Sequence, residues 1–346
     1  MQPADRYWTT RFAHWSPALP ESPGYSLLVP VPGDLPVFLE VALAVIGQQQ
    51  SKHRVETLVI PDVVTPQMRS IVDKAQANWQ GRLELVPLPQ PERSVLPRLK
   101  NPGHNHAVQL ITGVHASRGS HILLHDADLF LLDPGALDQR YEQAMERDLD
   151  VLGISPVWDK WYAEHGLTHL AATWELLARR DWMRAFPPRM HMGHTAEMFG
   201  ESHIFDTTLR PQALGNPQRI AQDDLVDEVV HFNYVISTYR HFQRSSGSFL
   251  DDRFRLVLVR LLIDLFAEEP FEYVVPSLAE LSQGLRDESA RVTYPSGEKA
   301  SADYAAFRSQ ISRTFDGAWC SRERGMQADK DLAPFDEHYG YRRSPQ

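Results

Sequence analysis

The chain has 346 residues, of which 42% are hydrophobic and 23% charged, and its formal net charge is −10. That composition belongs to a globular protein, long enough for a large α/β domain with additions or for two modest domains. The acidic balance and the lack of a basic run argue against nucleic acid as a partner, and the single cysteine, Cys320, excludes an intrachain disulfide or a cysteine zinc site.

A lone cysteine fits a reducing compartment. The start, Met1-Gln-Pro-Ala-Asp-Arg, lacks the charged and apolar regions of a signal peptide. No segment offers the roughly 20 apolar residues of a membrane span. The expectation is a cytoplasmic soluble protein, with peripheral membrane contact left open.

Residues 1–24 place Tyr7, Trp8, Phe12 and Trp15 among polar residues and prolines, which reads as an arm. Tyr25 to Val31 reads as a first strand, and Pro32-Gly33-Asp34 as a turn in which Asp34 can cap a helix begun by Pro36. Phe38, Leu39, Ala42, Leu43, Val45 and Ile46 keep helical spacing. Val55 to Ile60 is a second strand, Pro66 to Trp79 a second helix, and Leu83 to Leu88 a third strand. Strands alternating with helices at this spacing predict a doubly wound, mostly parallel sheet of α/β class.

Pro87 to Gly103 is rich in Pro and Arg and reads as a loop or linker. A helix over Asn105 to Ser117 precedes the apolar run Ile122-Leu123-Leu124, which reads as an interior strand. Ala136 to Arg147 is a further helix and Asp150 to Ile154 a further strand. Trp174 to Phe186 reads as a strand turning into a short helix. Phe249 to Phe266 is an amphipathic helix, and from Gly284 the chain reads as a loosely attached polar tail.

The informative stretch is Ser120-His-Ile-Leu-Leu-His-Asp-Ala-Asp-Leu-Phe-Leu-Leu-Asp133. Side chains at i and i+2 of an extended segment share a face, so Asp126 and Asp128 are expected to look into one pocket at the carboxyl end of the strand. Ligands bind at that end of open α/β sheets. Two carboxylates there repel unless a cation sits between them, and hard oxygen ligands suit Mg²⁺ or Mn²⁺. His121 and His125 have the i, i+4 spacing of a helical metal pair, but on a strand that spans roughly 13 Å, so they read as polar positions beside the core.

Three segments resemble the GT-A glycosyltransferases, particularly the bacterial set related to family 2. They are Ser26-Leu-Leu-Val-Pro-Val-Pro-Gly-Asp-Leu35, Gly113 to Asp128, and Phe205-Asp-Thr207 followed by Val230-His231-Phe232. The resemblance implies a GT-A sheet with an irregular acceptor half and a C-terminal helical extension. The implied divisions are an arm over 1–24, a nucleotide-sugar half over 25–155, an acceptor half over 156–245, a helical segment over 246–283 and a tail over 284–346. The implied activity is transfer of a sugar from a UDP- or GDP-sugar to a carbohydrate or small-molecule acceptor.

The same resemblance distributes roles. Val29, Pro30 and Val31 would hold the nucleobase, with Asp34 on the base or ribose. Asp128 would bind the metal directly, Asp126 and Ala127 would meet the donor or the metal's water, and His231 would be the third ligand. Apart from the resemblance, the place of Arg98 and Lys100 in the loop after the third strand offers two readings, contact with the diphosphate or a solvated surface, and the cluster Gly103-His104-Asn105-His106 would face the nucleotide. An inverting transfer needs a base, for which Glu201 and then Glu197 are the candidates, ahead of Asp181, while Asp206 serves as base, acceptor contact or turn cap. The family's Asn on the helix before the metal strand is Ile111 here, and its paired Glu-Asp base is absent. Two other readings compete: a haloacid-dehalogenase-like phosphohydrolase, and a non-catalytic nucleotide-sugar-binding protein of the same fold.

Overall fold

The computed structural model describes residues 3–99, 102–223, 228–244 and 253–342. In chain order it runs α1 (Pro3–Arg11), β1 (Ser22–Val31), α2 (Pro36–Gly47), β2 (Arg54–Pro61), α3 (Pro66–Gln76), β3 (Arg82–Leu85), α4 (Gln90–Leu99), α5 (Pro102–Ala116) and β4 (Gly119–His125). Then come β5 (Leu129–Leu131), α6 (Ala136–Glu146), β6 (Val151–Gly153), α7 (Lys160–Glu164), β7 (Glu175–Arg179), α8 (Arg180–Ala185), β8 (His194–Met198) and β9 (Glu201–Phe205). The remainder is α9 (Leu209–Leu214), β10 (Ile220–Gln222), β11 (Val229–His231), α10 (Val235–Arg244), α11 (Phe254–Phe266), α12 (Leu278–Gln283), α13 (Glu298–Phe315) and α14 (Arg322–Tyr339).

The chain divides into two units. One gathers residues 1–33, 49–127 and 135–226, and the other gathers 34–48, 128–134 and 227–346.

The first unit holds a seven-stranded sheet of order β10-β6-β7-β4-β1-β2-β3. All its pairings are parallel except those of β7, which runs antiparallel to β4 and β6. This is the mixed, mostly parallel α/β sheet that the strand–helix alternation implies. β1 and β4 lie at its centre, and both are buried along nearly their whole length, as the uninterrupted apolar runs require. α5 packs close to β1 and β2: a Cβ on Gly113 would stand 2.6 Å from side-chain carbons of both Leu28 and Ile60. The arm is also part of this unit, because α1 brings Trp8 and Phe12 into the core, stacked at 5.4 Å.

One expectation needs correction here, and one segment without an expected element gains one. The loop predicted over 87–103 contains α4, in which Leu96 and Glu92 are buried and Arg11 pairs with Glu92 at 2.5 Å. Pro91 sits in its first turn and so costs no intrahelical bond. Arg189 to Thr207, unassigned from sequence, contains the hairpin β8–β9, turned by Phe199 and Gly200 with positive φ of 55° and 83°.

Histidines buried in the first unit set an acid limit. Burial, with Arg179 nearby, lowers His121 to about 4. Burial lowers His191 to about 4 as well, although its ring N–H donates to the Met183 carbonyl. The folded pKa lies below the unfolded value of about 6.5, so each group holds stability above pH 6.5 that is lost as pH falls toward 4. Between pH 6.5 and 5, above the carboxylate range, each should remove about 2 kcal/mol. Urea midpoints across that window check this, and a constant midpoint would refute it.

The second unit is mainly helical, with the two-stranded antiparallel ladder β5–β11 inside it. Phe130 of β5 meets Phe232 edge-on at 5.5 Å and Trp319 at 5.6 Å, and Trp319 also packs on Phe266. The residues from 284 onward do not form the loosely attached tail expected of their polarity. Tyr304, Phe307, Ile311, Leu332 and Phe335 are buried between α13 and α14 and their neighbours. Arg308, itself buried, pairs with Asp329 at 2.6 Å and Asp336 at 3.1 Å, and Tyr304 donates to Asp336 at 2.6 Å. No helix among the described residues is long and apolar enough to cross a membrane.

Candidate metal centre and adjoining cavity

The strand carrying the two carboxylates ends one residue earlier than the alternation implies. β4 stops at His125, and Asp126-Ala127-Asp128 form a turn into β5. The pair is therefore set by a turn and not by strand periodicity. Ala127 is buried, the Asp128 side chain is 9% exposed and that of Asp126 23%.

Backbone bonds fix both ends of the turn. The Asp126 N–H donates to the Trp174 carbonyl at 3.0 Å, on the segment entering β7, and the Phe232 N–H donates to the Asp128 carbonyl at 3.1 Å. In the β5–β11 ladder, His231 stands opposite Leu129. That register sets the His231 Nε2 3.4 Å from Asp128 Oδ1. On the other carboxylate, a ring nitrogen of His106 lies 3.0 Å from Asp126 Oδ1.

Asp126, Asp128 and His231 each offer one ligand atom, and these lie within 4.8 Å of one another. The boundary between the units runs through the turn itself, so the group is one covalent stretch with the strand paired to it. Two carboxylates and an imidazole suit a cation that accepts both oxygen and nitrogen, which favours Mn²⁺ over Mg²⁺.

Behind the turn lies a buried ionic cluster. His125 Nδ1 is 2.6 Å from Glu175 Oε2, and Arg140 Nη1 is 3.3 Å from Glu175 Oε1, with all three side chains at most 1% exposed. His121 and His125, expected as polar positions beside the core, are both buried.

Other candidate residues are more dispersed. Val29, Pro30 and Val31 are buried on β1. The Val31 carbonyl already accepts from Gln109 Nε2 at 3.1 Å and from the Asp62 N–H at 3.2 Å. Gly33 sits where a Cβ would meet the Val63 carbonyl at 2.4 Å, so this turn admits only glycine. Asp34 is not a helix cap: Leu35 holds that position with no side-chain cap bond, and Asp34 is gripped by the Arg240 guanidinium at 2.7 to 3.2 Å. Arg98 is exposed on α4, and Lys100 lies outside the described residues. Ile111 is buried in the core.

The four carboxylates proposed as bases separate, and Asp181 is exposed and paired with Arg179 at 3.2 Å. Glu201 is engaged on the surface by Trp161 Nε1 at 2.6 Å and His165 at 2.9 Å. Glu197 is exposed on β8. Asp206 lines a cavity of ≈ 780 Å³ in the first unit. That cavity also takes His104, Trp158, Asp159, His194 and Arg210. His104 lines it, and His106, two residues along α5, contacts Asp126. The sequence marks His194 only as one of three close histidines, with His191 and His203, and marks neither Arg240 nor Arg210, which stand in no spaced motif.

No family model matches the chain, and no curated protein matches it. Solved structures do. A mannosyltransferase from Pyrobaculum calidifontis, in complex with GDP-Man and Mn²⁺, is 12% identical over 97% of this chain and 91% of its own, with a TM-score of 0.43. Glucosyl-3-phosphoglycerate synthase from Mycobacterium tuberculosis, in complex with Mn²⁺ and uridine-diphosphate-glucose, is 11% identical over 64% of this chain and 73% of its own, with a TM-score of 0.40. S. aureus TarS is 12% identical over 91% of this chain and 54% of its own, with a TM-score of 0.38.

Proposed function

We propose that this chain is a metal-dependent glycosyltransferase of GT-A type, moving a sugar from a nucleotide-diphosphate sugar to an acceptor hydroxyl. The observation that carries the reading is the convergence of Asp126, Asp128 and His231 on one turn and its paired strand. Asp128 and His231 hold the cation, and Asp126 completes the set or meets the donor through water. A bound divalent cation neutralises the departing diphosphate and orients it. The protein's own part is to hold those donors still. The Trp174 carbonyl and the Phe232 N–H clamp the turn, and His106 fixes the Asp126 carboxylate, as outer-shell partners do for metal ligands.

Asp34, held in a two-pronged grip by Arg240, is presented just past β1 and serves the nucleoside. For the base that takes the acceptor proton we favour Asp206, because it faces the cavity, whereas Glu201 is tied to Trp161 and His165. Glu197 is the remaining alternative.

The test is purified protein with a panel of UDP- and GDP-sugars, with and without Mn²⁺. The expected result is release of one nucleotide that depends on Mn²⁺ and stops with a chelator. Saturable binding with no release for any acceptor would identify a non-catalytic sugar-nucleotide binder. Absence of binding across the panel in a folded sample would remove the proposal.

A further inference from the structure

The cavity lined by His104 and Asp206 also holds a guanidinium that makes no ion pair among the described residues. Arg210 lines it and donates from Nη1 to His194 Nε2 at 2.7 Å. The other nitrogen of that ring, Nδ1, lies 2.6 Å from the Met192 carbonyl, so it must carry the proton. His194 is therefore the neutral tautomer with an accepting Nε2. It orients Arg210 and cannot offset its charge.

The rest of the guanidinium is unmet. Among the described residues, Nε–H has no acceptor, and Arg210 has no carboxylate partner. Neither acid in the cavity wall pairs with Arg210. Asp159 accepts from the Trp161 N–H at 3.0 Å and faces His203 at 3.6 Å, and Asp206 accepts from the Thr207 N–H at 2.7 Å. Nε is closed to solvent as well as unpartnered, so with Nη1 on His194 it is Nη2 that is left to donate to an anionic oxygen in the cavity. A volume of ≈ 780 Å³ is that of a small-molecule site.

We propose that this cavity is the acceptor pocket and that the acceptor carries an anionic group, a carboxylate or a phosphate, anchored by Arg210 while His194 positions the arginine. The acceptor role rests on the glycosyl-transfer reading; the anion site itself does not. The acceptor's hydroxyls would then meet Asp206, the carboxylate in the same wall.

The experiment is calorimetric titration of the full chain, without donor, using three probes: glycerol 3-phosphate, glycerate and glycerol. Saturable binding of at least one of the two anions, and none of glycerol, is expected, and which anion binds distinguishes phosphate from carboxylate. Arg210→Gln should weaken that binding by at least about tenfold, the loss expected for a charge-assisted hydrogen bond. Arg210→Lys, which keeps the charge but loses the planar group that His194 orients, should fall between the two. The thermal midpoint of each variant reports folding. Glycerol binding as tightly as the anions, no binding of either anion, or unchanged affinity in Arg210→Gln would each overturn the anion site. Displacement of the probe by UDP with Mn²⁺ would assign Arg210 to the donor's diphosphate and overturn the acceptor assignment. Because the titration uses no donor, its result is independent of whether any nucleotide-sugar binds.

Discussion

Asp128→Asn should lower Mn²⁺ affinity by more than about 100-fold, because even outer-shell partners of metal ligands are worth 10–100-fold. The substitution keeps the size of the side chain and replaces an anionic oxygen with a neutral amide. Asp128 is 9% exposed and its carboxylate lies 3.4 Å from His231 Nε2, so the pair is already assembled around one point. Backbone bonds from Phe232 and within the β5–β11 ladder do not involve the changed atoms, and the fold should survive. Mn²⁺ titration by electron paramagnetic resonance, with UDP present, gives the affinity directly. Asp126→Asn should lose less, since that side chain is more exposed and shares its oxygen with His106. An Asp128→Asn affinity within about threefold of wild type would mean that no cation is held here, and the Lewis-acid role would fall with it.

That site was half legible in the sequence. The carboxylates were visible because an apolar run too short for a helix ended in Asp-x-Asp, and the sheet bears out the run as a central strand. The reason offered for their common direction was wrong in detail, since a turn and not a pleat brings them together. His231 stood out only through a family resemblance. Its strand has three residues and is defined by a ladder partner about 100 positions away, which no local pattern encodes. The cavity was illegible for a similar reason. Among the described strands β8 and β9 pair only with each other, and β8 alternates between half-buried and exposed positions with no fully buried one, so no apolar core face marks them.

Helices marked by proline or by charge were also hidden. α4 carries Pro91 and Pro97, and α14 carries Pro334, which read as breakers. In α13 the buried face includes Arg308, a residue that is rarely buried unless paired. Its partners lie on α14, so the burial makes sense only once both helices are in place. The mostly parallel sheet was readable because each of its central strands is apolar on both faces.

Glu175→Ala should destabilise the first unit by about 3–5 kcal/mol, the cost of leaving a buried charge without its partner. Glu175 is fully buried and joins His125 at 2.6 Å to Arg140 at 3.3 Å, and the Arg140 side chain is 1% exposed. Removing the carboxylate takes the Glu175 partner from a guanidinium in the core. The double variant Glu175→Leu with Arg140→Met removes both charges and should recover most of the loss, because an ion pair replaced as a unit by apolar groups is often neutral. The first unfolding transition in urea measures both, since a chain of two units need not unfold in one step. A single-variant loss below about 1 kcal/mol would show that water reaches the cluster and that it carries little weight. The cluster sits directly behind the turn: His125 is the last residue of β4, and the segment entering β7 supplies the Trp174 carbonyl that holds Asp126. Loosening it therefore has a second consequence, a drop in Mn²⁺ affinity in Glu175→Ala even at temperatures where the unit stays folded. A stable metal affinity alongside the lost stability would separate the two roles and leave the cluster as a core ion pair only.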